Sequence, residues 1–182
     1  VNEKIALEMA FAACLTGVRA ICAMKHLGLM VAGDPLSTIP YVGVVGGLVI
    51  VSAGDPSCHT SPNEQDQRHL GRMLHLPVLD PSTPDEALLM TKRAFEMSEE
   101  SELPVLLRIT ARVSHSRAPV RYGRLTEPRQ GRFVRDPGRF VPIPVNARRL
   151  RGEIDGRMKR ALEHTTALYR QTGEGNLAIV SS

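Results

Sequence analysis

The chain has 182 residues, of which 42% are hydrophobic, and a formal net charge of +4 at pH 7. That length suits one well-buried domain with an appendage, because domains commonly contain about 100–150 residues. No apolar run reaches the ~18 residues that a membrane span requires, and no charged-then-apolar leader is present, so we expect a soluble protein without a membrane partner.

Three cysteines, Cys14, Cys22 and Cys58, give an odd number and no C-x-x-C spacing. This pattern excludes a disulfide framework and gives no sign of a zinc or cluster site within the chain. Cys14 and Cys22 lie in apolar runs, which predicts that they are reduced core residues. A reducing, cytoplasmic location fits this cysteine usage best.

Apolar periodicity and turn residues predict alternating helices and strands over the first 115 residues. The first helix is headed by Asn2 as its cap and Glu3 in its first turn, ends at Gly17, and is apolar enough to expose little surface. The elements that follow are a strand over 18–24, a helix over 29–41, a strand over 48–52, a helix over 64–74 capped by Asn63, a strand over 77–79, a helix beginning at Pro84 with Ser82 or Thr83 as its cap, and a strand over 103–109.

This alternation predicts an α/β fold with a mostly parallel sheet and helices on both faces. Ligands of such sheets bind beyond the carboxyl ends of the strands, so the loops at Lys25, Gly54 and Thr110 should share one edge. A polar loop over 55–68 directly follows the clearest strand. We therefore place the candidate site at this edge.

Beyond the predicted sheet the sequence changes character. Residues 116–150 are rich in Pro, Gly and Arg and predict a linker after a domain at 1–115, while 151–182 predict a helix and the first strand of a following domain. The helix is predicted over 148–171 and the strand over 176–182. The apolar face of this helix is predicted to consist of Ile154, Met158, Ala161, Thr165 and Leu168. The chain is therefore expected to be a piece of a longer polypeptide. The apolar linker residues expected to lie on the first domain are Phe133, Val134, Phe140, Val141 and Ile143.

Charge is divided unevenly between the two parts. Residues 1–115 carry 9 Lys/Arg against 13 Asp/Glu, a net of −4, whereas residues 116–182 carry 14 against 6, a net of +8. A basic nucleic-acid-binding module is one interpretation of the second part. Against it, the arginines are interleaved with Pro and Gly and the few aromatic residues form no stacking motif, so we predict no nucleic-acid partner.

Individual polar residues leave several interpretations open. Glu3 either complements the helix dipole or presents a carboxylate to a ligand. A Ser57–His59–Asp55 triad is disfavoured because no G-x-S-x-G elbow precedes a helix. The histidines do not fall at metal-ligand spacing on one element, so no metal site is predicted here.

Several longer motifs together resemble one enzyme family. They are NEK at 2–4, MKHLGL at 24–29, DPL at 34–36, GGLVIV at 46–51, HTSPNEQD at 59–66, LLRITARVSHS at 106–116 and FVPIPVNARR at 140–149. The family is the alpha subunit of indolepyruvate ferredoxin oxidoreductase. The resemblance implies that the chain is the pyrimidine-binding domain of a thiamine diphosphate enzyme.

The resemblance also implies a reaction and a set of roles. A thiamine diphosphate ylide would attack a 2-oxo acid, carbon dioxide would leave, and coenzyme A and ferredoxin would take the acyl group and the electrons. Glu3 would be the catalytic carboxylate that binds the aminopyrimidine ring. Further cofactor contacts are expected from Lys25 and His26, and substrate contacts from His59, Ser61, Asn63 and Glu64.

Other parts implied by the family are not encoded in this chain. Magnesium and the 4Fe–4S clusters would be bound further along the polypeptide, and a beta subunit would complete the enzyme, so the fragment alone should be inactive. The substrate would be indolepyruvate or another arylpyruvate. A sister 2-oxo acid:ferredoxin oxidoreductase, specific for pyruvate or a branched-chain acid, remains the alternative.

Overall fold

The computed structural model describes residues 2–124, 127 and 130–166. Four strands alternate with helices along the first two thirds of the chain. The strands are β1 (Ala20–Lys25), β2 (Leu48–Gly54), β3 (Val78–Leu79) and β4 (Val105–Thr110). The helices are α1 (Glu3–Leu15), α2 (His26–Val31), α3 (Gly33–Val42), α4 (Gln67–Leu74), α5 (Pro84–Ser101), α6 (Ala111–His115), α7 (Pro137–Phe140) and α8 (Pro144–Thr166), with a 3-10 turn at Pro56–Cys58.

The strands form one parallel sheet in the order β1-β2-β4-β3. In its register Lys25 pairs with Ala53, and Gly54 pairs with Thr110. The carboxyl ends of three strands therefore meet at one edge. Both the predicted parallel α/β class and the predicted shared edge are confirmed.

Side chains of β2 alternate between two cores because successive residues of a strand point to opposite faces of the sheet. Leu48 and Ile50 join a cluster with residues of α1, α2 and α3, whereas Val49 joins a cluster with residues of α5 and α8. All three side chains are completely buried. Helices thus cover both faces of the sheet, as predicted.

The first helix is capped as predicted but is less buried than predicted. The Asn2 side chain accepts a hydrogen bond from the Lys4 N–H, and Gly17 follows the helix with a φ of +88°. Within the helix, however, only Leu7 and Cys14 are buried, and the apolar side chain of Met9 is 70% exposed. The prediction of little exposed surface was wrong because the described part of the chain covers only one face of α1.

Helix α4 begins three residues later than predicted. Its cap is Asp66, whose side chain accepts the Arg68 N–H, and not Asn63. The residues before Asp66 belong to the loop, in which the Glu64 carboxylate accepts the Ser57 N–H. The helix predicted over 29–41 is instead two helices that meet at Ala32, while the predicted Thr83 cap of α5 is confirmed.

The chain after residue 130 contacts the sheet unit differently from the prediction. Four of the five apolar linker side chains predicted to lie on the first domain are exposed, Val141 by 47%, Ile143 by 51%, Phe133 by 55% and Val134 by 66%, whereas Phe140 is half-buried. Contact is made instead by Arg139, which donates to the carbonyl oxygens of Val42 and Val44, and by α8, which packs on α3 and α5. Polar anchoring replaced apolar anchoring here because helix ends offer unpaired carbonyl groups.

The division into domains stays a prediction. The predicted strand over 176–182 and the predicted end of the last helix at 171 lie outside the described residues. Among the described helices none combines the length and apolarity needed to cross a membrane. Cys14 and Cys22 are buried free thiols, as predicted, and burial raises the pKa of each.

Candidate functional site

A cavity of about 530 Å³ opens at the carboxyl edge of the sheet. Its walls come from the ends of β1 and β2, from the loop after β2, and from α6, which follows β4 directly. The polar side chains that line it include Lys25, Asp55, His59, Thr60, Arg112 and His115. Two of the residues predicted from sequence, Lys25 and His59, are therefore brought together in this cavity.

The cavity has a cationic lining. The lining includes the cationic side chains of Lys25 and Arg112 and the imidazoles of His59 and His115. Asp55 is the only carboxylate that the described residues contribute to the lining, and it already accepts hydrogen bonds on both of its oxygens. An anion that enters would therefore meet unneutralised cations, which favours a carboxylate or phosphate ligand.

Asp55 organises the loop that forms one wall. Its Oδ1 accepts the His59 N–H at 3.2 Å, and its Oδ2 accepts the Thr60 N–H at 2.8 Å and the Ser61 hydroxyl at 2.7 Å. These bonds, led by the one from the Thr60 backbone, lower the pKa of Asp55 well below its usual range. Because Asp55 bonds the backbone of His59, the disfavoured Ser57–His59–Asp55 triad is not formed.

The same loop contains two strained residues. Ser57 and Cys58 have φ values of +66° and +52°, in a region that residues with a Cβ rarely adopt. Asp55 and Glu64 stabilise this conformation, since Glu64 Oε2 accepts the Ser57 N–H at 2.9 Å. The loop is thus shaped by carboxylates that bond its own backbone.

Three residues predicted to bind substrate direct their polar atoms into this loop. Ser61 donates to Asp55, Glu64 accepts from Ser57, and Asn63 Oδ1 accepts from the Gln65 amide at 3.1 Å. None of the three is among the residues lining the cavity. Their contribution in the structure is to the shape of the wall, and a contact with substrate stays a prediction.

His26 lies completely buried behind the cavity. Its Nε2 is 3.1 Å from the Asn63 carbonyl oxygen, and its Nδ1 is 3.4 Å from the Ala53 carbonyl oxygen. The ring thereby links the end of β2 to the loop that follows. Its predicted contact with a cofactor stays a prediction, and its observed partners are backbone atoms.

Glu3 lies in the first turn of α1 and packs against α2. Among the described residues its carboxylate has no hydrogen-bond or ion-pair partner, whereas the neighbouring Lys4 pairs with Asp34 at 2.7 Å. A Cβ added at Gly28 would be 2.7 Å from Glu3 Cγ, so the two residues are in direct contact. A free carboxylate at a helix N-terminus suits the predicted role, because it can accept a hydrogen bond from a ring nitrogen.

Sequence reasoning missed Arg112 and His115 as lining residues. A signal was present, since Thr110 was already predicted to lie at the ligand-binding edge and α6 follows it without a loop.

Within the described ranges, no group of three or more His, Cys, Asp or Glu side chains is arranged to hold a metal ion. The fold and its cationic edge therefore define a parallel α/β domain, consistent with a pyrimidine-binding domain of a thiamine diphosphate enzyme.

Comparison with known proteins gives a more specific class. No protein-family model matches the chain. Curated relatives named indolepyruvate oxidoreductase subunit IorA are 46% identical over the whole chain in Methanothermobacter marburgensis, 51% identical over 87% of it in Methanothermobacter thermautotrophicus, and 48% identical over 81% of it in Thermococcus kodakarensis. The aligned regions cover 30%, 26% and 24% of those relatives.

The chain belongs to the IorA family of indolepyruvate oxidoreductase subunits and spans less than a third of the length of these relatives. The family predicted from the sequence motifs is therefore confirmed. The printed names of these relatives describe them as subunits of an oxidoreductase.

Proposed function

We propose that the chain forms the pyrimidine-binding part of an enzyme that oxidatively decarboxylates indolepyruvate or another arylpyruvate. The products are an arylacetyl-coenzyme A and reduced ferredoxin. Two properties of the relatives support this proposal: their names, and their sequence identity of 46% and 51% to the aligned parts of the chain. A beta subunit completes the enzyme, and other parts of the polypeptide bind magnesium and the iron–sulfur clusters.

The observation that carries the proposal is the free carboxylate of Glu3. The chemistry that bound thiamine diphosphate supplies is a carbon nucleophile for the keto group and an electron sink for the loss of carbon dioxide. Glu3 would hold the aminopyrimidine ring by accepting a hydrogen bond from it and would exchange a proton with that ring. Among the described residues no cation forms an ion pair with Glu3, and the neighbouring Lys4 pairs with Asp34.

The cationic cavity is assigned to the 2-oxo acid. Lys25 and Arg112 pair with its carboxylate, and their charges compensate for the removal of that carboxylate from water. A cavity of about 530 Å³ lies within the usual range of small-molecule sites and has room for an aromatic side chain. Neither Lys25 nor His59 forms a competing ion pair among the described residues.

The test is anaerobic viologen reduction by the complete enzyme with indolepyruvate, coenzyme A and thiamine diphosphate. We expect Glu3→Gln to lower kcat by at least 100-fold, because an amide cannot exchange the proton. The control is Glu8→Gln, which makes the same change on the same helix at a side chain that is 50% exposed.

Equal rates for wild type and Glu3→Gln would show that Glu3 is not the proton-transfer group. Turnover of pyruvate or a branched-chain 2-oxo acid, without turnover of indolepyruvate, would move the assignment to the sister enzyme. In that case the cofactor chemistry and the role of Glu3 would stand.

A further inference from the structure

Gly28 is a glycine whose backbone does not require glycine. It lies buried in the middle of α2, and its φ is outside the left-handed region that favours this residue. Glycine is also the least favourable residue for a helix interior apart from proline. The absence of a side chain at this position therefore calls for an explanation in terms of space.

The atoms nearest to the space beside Gly28 belong to Glu3. A Cβ at position 28 would be 2.7 Å from Glu3 Cγ, 3.1 Å from Oε1 and 3.2 Å from Cδ, and these are its three nearest atoms. All three belong to a side chain that can rotate, so a methyl group would displace the Glu3 carboxylate and leave the backbone in place. The contact between α1 and α2 thus fixes where that carboxylate sits.

We propose that Gly28 is a positioning residue. Because it has no side chain, it leaves the space that the Glu3 side chain occupies, and we call this space the seat of the Glu3 carboxylate. The inference rests on the proposed function of Glu3 and adds the residue that determines its position. The adjacent Lys4 pairs with Asp34 and so ties α1 to α3, and within the described part of the chain Glu3 has no ion-pair partner. Reactions that depend on orientation lose rate steeply when a group moves by about 1 Å.

A matched control lies five residues away. A Cβ added at Gly33, the first residue of α3, would meet no atom within 4 Å, and its φ is also outside the left-handed region. Gly33→Ala therefore makes the same chemical change in the same part of the fold without touching Glu3. Any difference between the two variants reports on the seat.

The experiment uses the complete enzyme carrying Gly28→Ala, Gly33→Ala, Glu3→Gln and the double variant Gly28→Ala/Glu3→Gln. Calorimetry measures the affinity for thiamine diphosphate, and viologen reduction measures kcat/KM. We expect Gly28→Ala to weaken cofactor binding at least tenfold and to lower kcat/KM on the order of 100-fold. Gly33→Ala should change neither value.

The double variant separates positioning from a structural effect. If Gly28 acts through Glu3, the alanine costs nothing further once Glu3 is glutamine, so the two losses are not additive. Fully additive losses, or equal behaviour of Gly28→Ala and Gly33→Ala, would overturn the proposal. If Gly28→Ala lowers the unfolding temperature, adding Glu3→Ala, which removes Cγ, should restore it, and failure to restore it also overturns the proposal.

Failure of the proposed function can be distinguished from failure of this inference. If Glu3→Gln retains full activity, Glu3 has no catalytic role, and the seat is then tested by crystal structures of the complete Gly28→Ala and Gly33→Ala enzymes. Displacement of the Glu3 carboxylate in the first variant alone supports the seat. An unmoved carboxylate in both variants rejects it.

Discussion

Arg112 is exposed at the mouth of the cavity, in the first turn after β4. If it pairs with the substrate carboxylate, Arg112→Gln removes a charge-assisted hydrogen bond of about 1.5–3 kcal/mol. We therefore expect KM for indolepyruvate to rise roughly 10- to 100-fold while kcat changes little. Steady-state viologen reduction by the complete enzyme measures both constants.

The control for this variant is Arg72→Gln, at an exposed arginine on α4 outside the cavity. Its KM should match that of the wild type. An unchanged KM in Arg112→Gln would mean that the substrate carboxylate binds elsewhere. A fall in kcat with constant KM would instead assign Arg112 to the reaction step.

Two residues show what local sequence can and cannot give about a site. Glu3 was identified by its motif and by its place at the start of a helix, and both are local properties. Its contact with Gly28 was not identifiable, because residues 3 and 28 meet only after α1 and α2 pack together. Arg112 is an intermediate case. It lies two residues after Thr110, which the predicted parallel sheet already placed at the ligand-binding edge.

The loop between β2 and α4 is the element whose conformation depends most on charge. Its boundary was misplaced because Asn63 and Asp66 are equally good caps by local rules, and the choice is made by tertiary contacts. The Asn63 carbonyl oxygen lies 3.1 Å from His26 Nε2, and the Glu64 carboxylate accepts the Ser57 N–H, so both residues belong to the loop and the helix begins after them. The cap of α5 was correct because no such contact competes with it.

This loop should respond to pH through Asp55. Its pKa in the folded protein is below the unfolded value of about 3.9, so its stabilising contribution is complete above that value. The contribution is lost as the pH falls towards the lower folded pKa. Asp55→Asn should therefore be less stable than wild type at pH 7, and the difference should vanish in strong acid.

Urea unfolding between pH 7 and pH 2, with hydrogen exchange of residues 55–66 as the local readout, measures this difference. The control is Asp155→Asn, at a side chain that is 83% exposed on α8, and we expect it to change loop exchange at pH 7 very little. A stability difference between Asp55→Asn and wild type that stays constant down to pH 2 would contradict the prediction.

At the scale of the whole molecule, the basic segment is fixed to the sheet unit by arginines. Arg157 donates to the carbonyl oxygens of Pro40 and Tyr41 at 2.9 Å each, and Arg160 donates to that of Glu100 at 3.0 Å. These oxygens lie at the carboxyl-terminal ends of α3 and α5, where the helix dipole favours cations. Part of the charge excess after residue 116 is thus used to cap helices.

Pattern analysis missed this docking for a physical reason. Residues 154, 157 and 161 share one face of α8, and an apolar stripe was predicted there. Ile154 and Ala161 fulfil it, but Arg157 between them is also buried, at 2% exposure. A hydropathy pattern predicts that a charged residue faces solvent. The burial of Arg157 could therefore be recognised only from the carbonyl oxygens of α3 that it bonds.

The last prediction concerns this docking. Arg157→Met keeps an extended side chain but removes the donor to two carbonyl groups beneath α8 and one of the three arginines that pair with Glu102. Removing one side of such a buried charged contact costs about 3 kcal/mol, which corresponds to roughly 100-fold faster local opening. Hydrogen exchange over α8 in the complete enzyme measures that rate. Arg151→Met, at a side chain that is 45% exposed and 3.6 Å from Asp155, should change it less than threefold. Equal exchange in the two variants would show that the Arg157 contacts do not hold α8 in place, because of these two arginines only Arg157 bonds the end of a neighbouring helix.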